Sequence, residues 1–550
     1  MNRIATLGAG LLGVILTTGC FETPGGDGNA TGPIYRHHFL GGAELKKGTN
    51  ATTLLAVAAL PRTLELRRHV IAKLARTPQQ LWTNRLPASA PDQSALLAPL
   101  LDDLLVAESL AEVRGSTAAA ECLLAVQLND TRAALWSTNL WKVAAAWHLG
   151  TPADISVPGG KGWEARQGRQ IVQFLRSGGW VLLSLGQEKP KLAPELAQQI
   201  ARTGRPAPKL EDSFLKLTLD FPRLAHWFPG LAQYRLPLTE LTYRGRGENV
   251  RLEGRLLFSQ NLPLKIEPWK IPVEAIRDPV ASFTAVRGVA ALLTQSPGMA
   301  ATRLNPIPNQ FCLWGTRGRF AQTQLSFPVR DGTNTLLHLR STLPDALNLY
   351  FDKGTVNVVM PSNRTELMFR TVPIIAPALR PVRLQNQDYL LGSLFPRLAN
   401  TNRAPAELFA QLEGKTNLVY YDWEITEQRL LHGRQLYSVL NALQRRQNHP
   451  PSAPTVMWMT NAAPLLGNTV TEISQTGPRE LSLVRKSHLG FTGFELASLA
   501  RWIESPGFPL THEPPPRLAA TNRVEQPPRP IPGRSAPARP QPARPPGAAP

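Results

Sequence analysis

Apolar and polar positions along the chain alternate between two periods, one helical and one extended. Behind Pro61, the residues Leu64, Val70, Ile71 and Leu74 recur at helical spacing. Pro61 suits the start of that helix, because a first-turn proline gives up no intrahelical hydrogen bond. Leu97, Leu101, Leu104 and Leu105 predict a second helix from Ser94 to Glu112. A buried-type strand follows from Cys122 to Leu128. Asp130 then stands where it can cap a helix whose stripe is Trp136, Leu140, Val143 and Trp147. Aromatic residues at that spacing read as core.

The extended period takes over further on. Gln170 to Leu175 and Trp180 to Leu185 flank Arg176-Ser177-Gly178-Gly179, which predicts a hairpin. Glu240 to Tyr243 and Val250 to Phe258 predict another pair of strands. In the latter, Val250, Leu252, Leu256 and Phe258 face one way and Arg251, Glu253 and Arg255 the other. Such alternation predicts an antiparallel sheet wet on one face. Strands are also expected at Gln324–Val329, Thr335–Arg340, Thr355–Met360 and Leu418–Ile425. Thr426 is placed to cap a helix carrying Leu436, Val439, Leu440 and Leu443. A hairpin is expected around Gln475-Thr476-Gly477-Pro478, between Thr469–Ser474 and Glu480–Val484. Thr492-Gly493-Phe494-Glu495 matches a capping box, with Leu496, Leu499, Ala500 and Ile503 as the buried face behind it.

Together these elements predict an α+β fold of antiparallel sheets with packed helices. An apolar strand running into a capped helix recurs at Cys122–Trp147, Leu418–Leu443 and, in shorter form, Phe214–Trp227. Another copy is suggested at Ala281-Ser282-Phe283-Thr284. The pattern suggests an internally duplicated unit; convergence on a common strand-helix pattern is the alternative. From residue 511 the chain is rich in Pro and Arg and lacks apolar anchors, the composition of an extended, disordered tail.

The first residues carry an address. Met1-Asn2-Arg3 brings one positive charge, and an uncharged, largely apolar run extends from Ile4 to Thr18. A basic start and an apolar run too short to span a bilayer comfortably form a secretory signal. The run closes on Leu16-Thr17-Thr18-Gly19-Cys20, which resembles the lipobox of bacterial lipoproteins. Thr18 and Gly19 fit the small positions before the cysteine; Thr17 stands where that family usually has Leu. The resemblance covers about the first twenty residues. It implies cleavage before Cys20 and acylation of that cysteine. Phe21 replaces the Asp that marks inner-membrane retention in Gram-negative relatives, so the implied address is the outer membrane, facing the periplasm. The Gly-rich residues after Cys20 read as a flexible spacer. The organisation expected is a signal peptide over 1–19 and a lipid-anchored tether over 20–50. An N-terminal α+β domain over 51–275 and a C-terminal α+β domain over 276–510 follow, and then the tail over 511–550.

Charge and chemistry alter this picture only modestly. The 550 residues carry a formal net charge of +20. In an exported protein that favours anionic envelope polymers or lipid headgroups as partners, and nucleic acid is not expected. The charge is scattered, so a generally basic surface is the plain reading. Cys122 and Cys312 lie in apolar runs; they read as two buried thiols, with a disulfide as the alternative. His37-His38 is the only adjacent histidine pair, and neighbours in sequence do not share a helix face. No metal-ligand spacing, nucleophile elbow or phosphate loop occurs. Gly159-Gly160-Lys161-Gly162 reads as a turn between strands. Asp102-Asp103 is expected on the wet side of its helix. Asp422 and Glu424 share one face of a strand, with aromatic residues between them. That is a disposition glycoside hydrolases use, but a solvated strand face is the favoured reading.

No catalytic, cofactor or metal residue is therefore assigned, and Cys20 is the only site residue, for lipidation. The function expected is a membrane-tethered envelope protein that binds or scaffolds. The alternative is a secreted hydrolase acting on cell-wall polysaccharide or peptide.

Overall fold

The computed structural model describes residues 32–509 except 82–90, 117–118, 188–189, 319–321, 352, 354–355, 363–364, 371–374, 396–401 and 444–449. The expected signal peptide, Cys20 and the expected tail lie outside the described residues. In the first half, strands run β1 (Tyr35–Phe39), β2 (Ser109–Arg114), β3 (Glu121–Gln127), β4 (Ala153–Val157) and β5 (Gly160–Gln167). They continue with β6 (Gln170–Ser177), β7 (Trp180–Gln187), β8 (Ser213–Asp220), β9 (Leu238–Arg246) and β10 (Asn249–Leu257). The second half begins with β11 (Val280–Arg287), β12 (Gln310–Thr316), β13 (Thr323–Val329), β14 (Asn357–Val359) and β15 (Leu367–Arg370). It ends with β16 (Ala378–Leu384), β17 (Gln387–Ser393), β18 (Leu418–Ile425), β19 (Asn468–Gly477) and β20 (Glu480–Ser487).

All twenty described strands join one antiparallel sheet. Following the pairings from one edge, the first half reads β4-β5-β6-β7-β3-β2-β1-β8-β9-β10. From the other edge the second half reads β14-β15-β16-β17-β13-β12-β11-β18-β19-β20. Adding ten to every strand number converts the first order into the second, so the body is a duplicated unit. The halves meet where β10 pairs antiparallel with β20. Asn249 and Glu480 are the first residues of these two strands, each after a two-residue turn. Four residues further along each strand, Glu253 and Val484 stand directly opposite one another. The junction is thus related to itself by a pseudo-two-fold axis, the pairing two copies of one unit make.

Helices repeat with the strands. After β3 comes Asp130–Ala146 and after β13 comes Gly332–Asn348, each of 17 residues. Asn129 caps the first by accepting from the Arg132 N–H, and Asp331 caps the second by accepting from the Asn334 N–H. The helices after β8 and β18 are Phe221–Trp227 and Thr426–Leu443. Even the β6–β7 and β16–β17 turns correspond. One is Gly178-Gly179, with Gly178 at φ +55°; the other is Gln385-Asn386 at φ +47° and +61°. Positive φ at the first turn residue suits the twist of a two-residue hairpin, whichever side chain supplies it.

Several expected elements change. The helix from Ser94 stops at Val106, and Ser109–Arg114 is strand β2. Leu110, Ala111 and Val113 are buried there in extended backbone, so leucine spacing ran past the true end. Thr335–Arg340 is not a strand but part of the helix Gly332–Asn348. Leu336, Leu339, Thr342 and Ala346 fill its buried face at helical intervals, and Asp331 fixes its start. Asp130 is the first helical residue and Asn129 the cap. The tether expected over 20–50 gives way by Tyr35, since β1 pairs with both β2 and β8 inside the sheet. Cys122–Trp147 and Leu418–Leu443 also prove to be non-equivalent parts of the repeat. The partner of the first is the β13 unit, and Phe214–Trp227 is the partner of the second. The break expected between residues 275 and 276 falls in the connection from β10 to β11.

The capping box forms as read: Thr492 accepts from the Glu495 N–H, and the Glu495 carboxylate accepts from the Thr492 N–H. Trp136, Leu140, Val143 and Trp147 are all core. Helices inserted between β1 and β2 cross to the second half. Trp458 Nε1 donates to Thr63 Oγ1 at 3.0 Å, and Val57 packs with Leu430, Tyr437 and Leu496.

Candidate functional site

The acid pair is where burial and charge conflict most. On β18, Asp422 and Glu424 point to the same face, and that face is covered by the helices Thr426–Leu443 and Gly493–Glu504. The two residues are 3% and 1% exposed, so the wet strand face expected for them is not what forms. Thr284 Oγ1 on β11 donates to Asp422 Oδ1 at 2.5 Å. The backbone N–H of Gly493 donates to Glu424 Oε1 at 2.7 Å. Arg429 Nε lies 3.8 Å from Glu424 Oε2, while its NH1 donates to Ser282 Oγ at 3.0 Å. Two strands further, on β20, Arg485 grips Glu495 with two nitrogens, at 2.7 and 3.0 Å, and donates to Thr471 Oγ1 on β19 at 2.9 Å. His432 reaches into the same layer, with Nε2 3.5 Å from the Gly318 carbonyl.

Burial in low dielectric disfavours a carboxylate unless bonds and cations compensate. Burial, with the Asp422 charge adding to it, pushes the Glu424 carboxyl up to about 8. Burial raises Asp422 as well. Near neutral pH the pair therefore holds a proton. The duplication supplies an internal control. Asp422 and Glu424 stand between Thr284/Ser282 on β11 and Thr471/Thr469 on β19. In the first half the same positions are Leu217 and Leu219, between His37/Tyr35 on β1 and Leu241/Thr239 on β9. Leucines satisfy this layer of the fold in one copy, so the fold itself does not require the acids. The polar layer is a divergence of the second copy, and its ionisable groups lie beneath helices rather than on an open surface.

An open site lies elsewhere in the second half. A cleft of about 1050 Å³ runs between the segment 263–270, the residues before β12, the end of β13 and the β16–β17 turn. Its walls carry Lys265, Lys270, Arg303, Arg330 and Arg383 against Glu267, Asp331 and Asp388. Lys265 answers Glu267 at 3.3 Å and Arg383 answers Asp388 at 3.8 Å. Asp331 is occupied as a helix cap, bonding the Asn334 backbone at 2.9 Å and its amide at 2.7 Å. Among the described residues, no acid lies in ion-pair contact with Lys270, Arg303 or Arg330, and all three are exposed.

The wall is held by a buried cation. Arg287 donates to the carbonyls of Glu267, Leu418, Lys415 and Thr416 at 2.7–3.0 Å, and its guanidinium lies 4.3 Å from the Trp269 ring. Burial lowers its pKa from the usual arginine range. Gln310 clamps the same segment, donating to the Pro268 carbonyl at 2.7 Å and accepting from the Lys270 N–H at 2.9 Å. Sequence reading missed this cleft because its cations are spread from residue 265 to residue 383 and share no motif. Chain reversal through the sheet brings them together.

The other residues singled out in the sequence separate. His37 and His38 point to opposite faces of β1: His37 Nδ1 is 2.8 Å from Tyr35 Oη, and His38 Nε2 is 2.8 Å from Glu108. Asp103 is not on a wet face; it accepts from Arg132 NH2 at 2.7 Å and Trp136 Nε1 at 2.8 Å. Asp102 pairs with Arg67. Cys122 and Cys312 are buried in separate cores, one in each half, and are not bonded to each other. Burial pushes the Cys312 thiol up to about 12, far from a reactive thiolate. Pro158 and Gly159 form the tight turn between β4 and β5, and Gly160 opens β5. Among the described residues no group of three His, Cys, Asp or Glu is disposed to hold a metal ion, and no helix is long and apolar enough to cross a membrane. No protein-family model, curated protein or solved structure matches the chain.

Proposed function

We propose that this is an exported bacterial envelope protein, anchored by lipid on Cys20 to the outer membrane, whose folded body binds a ligand in the periplasm. The open cleft carries the binding half of this reading: three exposed cations line a concave wall with no acid in ion-pair contact with them among the described residues. Concave sites with a few convergent polar groups are where ligands settle. The two carboxylates that a hydrolase would use are 3% and 1% exposed and bonded to Thr284 and Gly493, which favours binding over hydrolysis at those residues. The anchor is supported by the basic start, the apolar run and Leu16-Thr17-Thr18-Gly19-Cys20, and the outer-membrane address by Phe21. One acyl chain holds a protein only marginally, so the multiple acylation implied by the lipobox resemblance suits a stable tether.

Radioactive fatty-acid labelling of the parent and Cys20→Ser tests the anchor. Label on the parent, lost in the variant, is expected, with the parent fractionating with outer membrane. An unlabelled parent refutes it.

A further inference from the structure

We propose that the cleft holds a short stretch of an anionic polysaccharide, one whose sugars carry carboxylates. This rests on the binding reading above and specifies its ligand. Lys270, Arg303 and Arg330 are exposed with no acid in ion-pair contact among the described residues, while Lys265 and Arg383 are paired with Glu267 and Asp388. Cations unanswered within a concavity select an anion, because low-dielectric walls focus their field. Between the cations the wall is mixed: Pro263, Pro306, Ile307 and Pro328 offer apolar surface, and Asn305 and Asn386 offer amides. A sugar ring presents the matching combination of C–H faces and hydroxyls, and an amide can both donate to and accept from a hydroxyl.

The same features disfavour other anions. A bilayer is planar and its headgroups cannot fill a concave cleft of about 1050 Å³. Single-stranded nucleic acid is held by aromatic stacking platforms, and among the described residues no Phe, Tyr or Trp lines this cleft. An extended acidic peptide would seek a free strand edge. β17 already takes one edge of each of the two strands that lead into the cleft, β13 and β16, and Pro328 and Pro381 leave each of them one N–H short of a full ladder. The volume sits just above the range that encloses one drug-sized ligand, and the cleft is open, which suits part of a polymer.

The test uses the full chain in detergent micelles and measures binding to polygalacturonate, with neutral dextran as comparison. Lys270→Glu/Arg303→Glu/Arg330→Glu reverses the three cleft charges. Lys142→Glu/Lys161→Glu/Lys216→Glu makes the same change in net charge at exposed lysines of the first half. The cleft variant is expected to weaken polygalacturonate binding by at least about tenfold and the control by less than about twofold. Circular dichroism of both variants establishes that they are folded. Equal losses in the two variants, or polygalacturonate bound no tighter than dextran, would overturn the proposal. So would competition by phosphatidylglycerol vesicles that is as strong against the cleft variant as against the parent. Failure of the anchor appears only in the fatty-acid labelling, and equal losses in the two variants would leave general polyanion binding intact while removing this site.

Discussion

Replacing Glu424 by Gln removes a titration and keeps the local bonding. The Gln amide oxygen can still accept from the Gly493 N–H, which now meets a carboxyl oxygen at 2.7 Å. Burial and the Asp422 charge hold the Glu424 carboxyl at about 8, against 4.5 for the exposed group. The sign follows from proton uptake. Between these two values the folded protein keeps a proton that the unfolded chain releases. The stabilisation is therefore complete below about pH 4.5 and is lost as pH rises through about 8. Each pH unit in that window is worth about 1.36 kcal/mol, so the parent loses on the order of 4 kcal/mol relative to the variant. For a unit of 150–250 residues that is roughly 8 °C or more in Tm. Scanning calorimetry of both proteins from pH 5 to 8.5 checks it. His432, Arg429, Arg485, Glu495 and Tyr420, which face the pair, are present in both proteins and largely cancel in the difference. The difference in Tm, variant minus parent, is expected to grow steadily across this range. A difference that stays flat, or that shrinks towards pH 8, would refute a buried proton at Glu424.

Further outcomes follow from the same packing. Arg287→Met leaves four carbonyls without their shared donor. It should cost roughly 3 kcal/mol or more, and hydrogen exchange should rise across residues 265–270, where the cleft wall is pinned; unchanged exchange there would count against that role. Thr492→Ala removes one arm of the capping box and should lower stability by about 1 kcal/mol. Glu495 also holds Arg485, so Glu495→Gln should cost more than Thr492→Ala; chemical denaturation ranks the two. Opposite ranking would mean that the box, not the ion pair, does most to secure the last helix.

How much was legible depended on the range of the interaction. Hairpins around Gly178 and Gly477 and the capping box at Thr492 are local, and their turn and cap chemistry is written in adjacent residues. The error at Thr335–Arg340 arose where a short mixed run fits both periods, until Asp331 caps it and neighbouring core claims Leu336 and Leu339. The duplication was sensed from strand-helix pairs, but those pairs were matched out of phase. Register between strands, not similarity of residues, carries the repeat.

By itself the sequence determined the α+β class and most of the hairpins and helices, because these depend on period, turn residues and short spacing. Only the tertiary structure decided that two ten-strand units share one continuous sheet, since strand order is a choice among distant partners. It likewise decided the fate of Asp422 and Glu424. Alternation along β18 put both acids on one face, but whether that face met water or helices depended on residues 426–443 and 493–504 folding over it. The cleft is the same case: its cations are spread over more than a hundred residues, and only the paths of β11 to β17 bring them to one cleft.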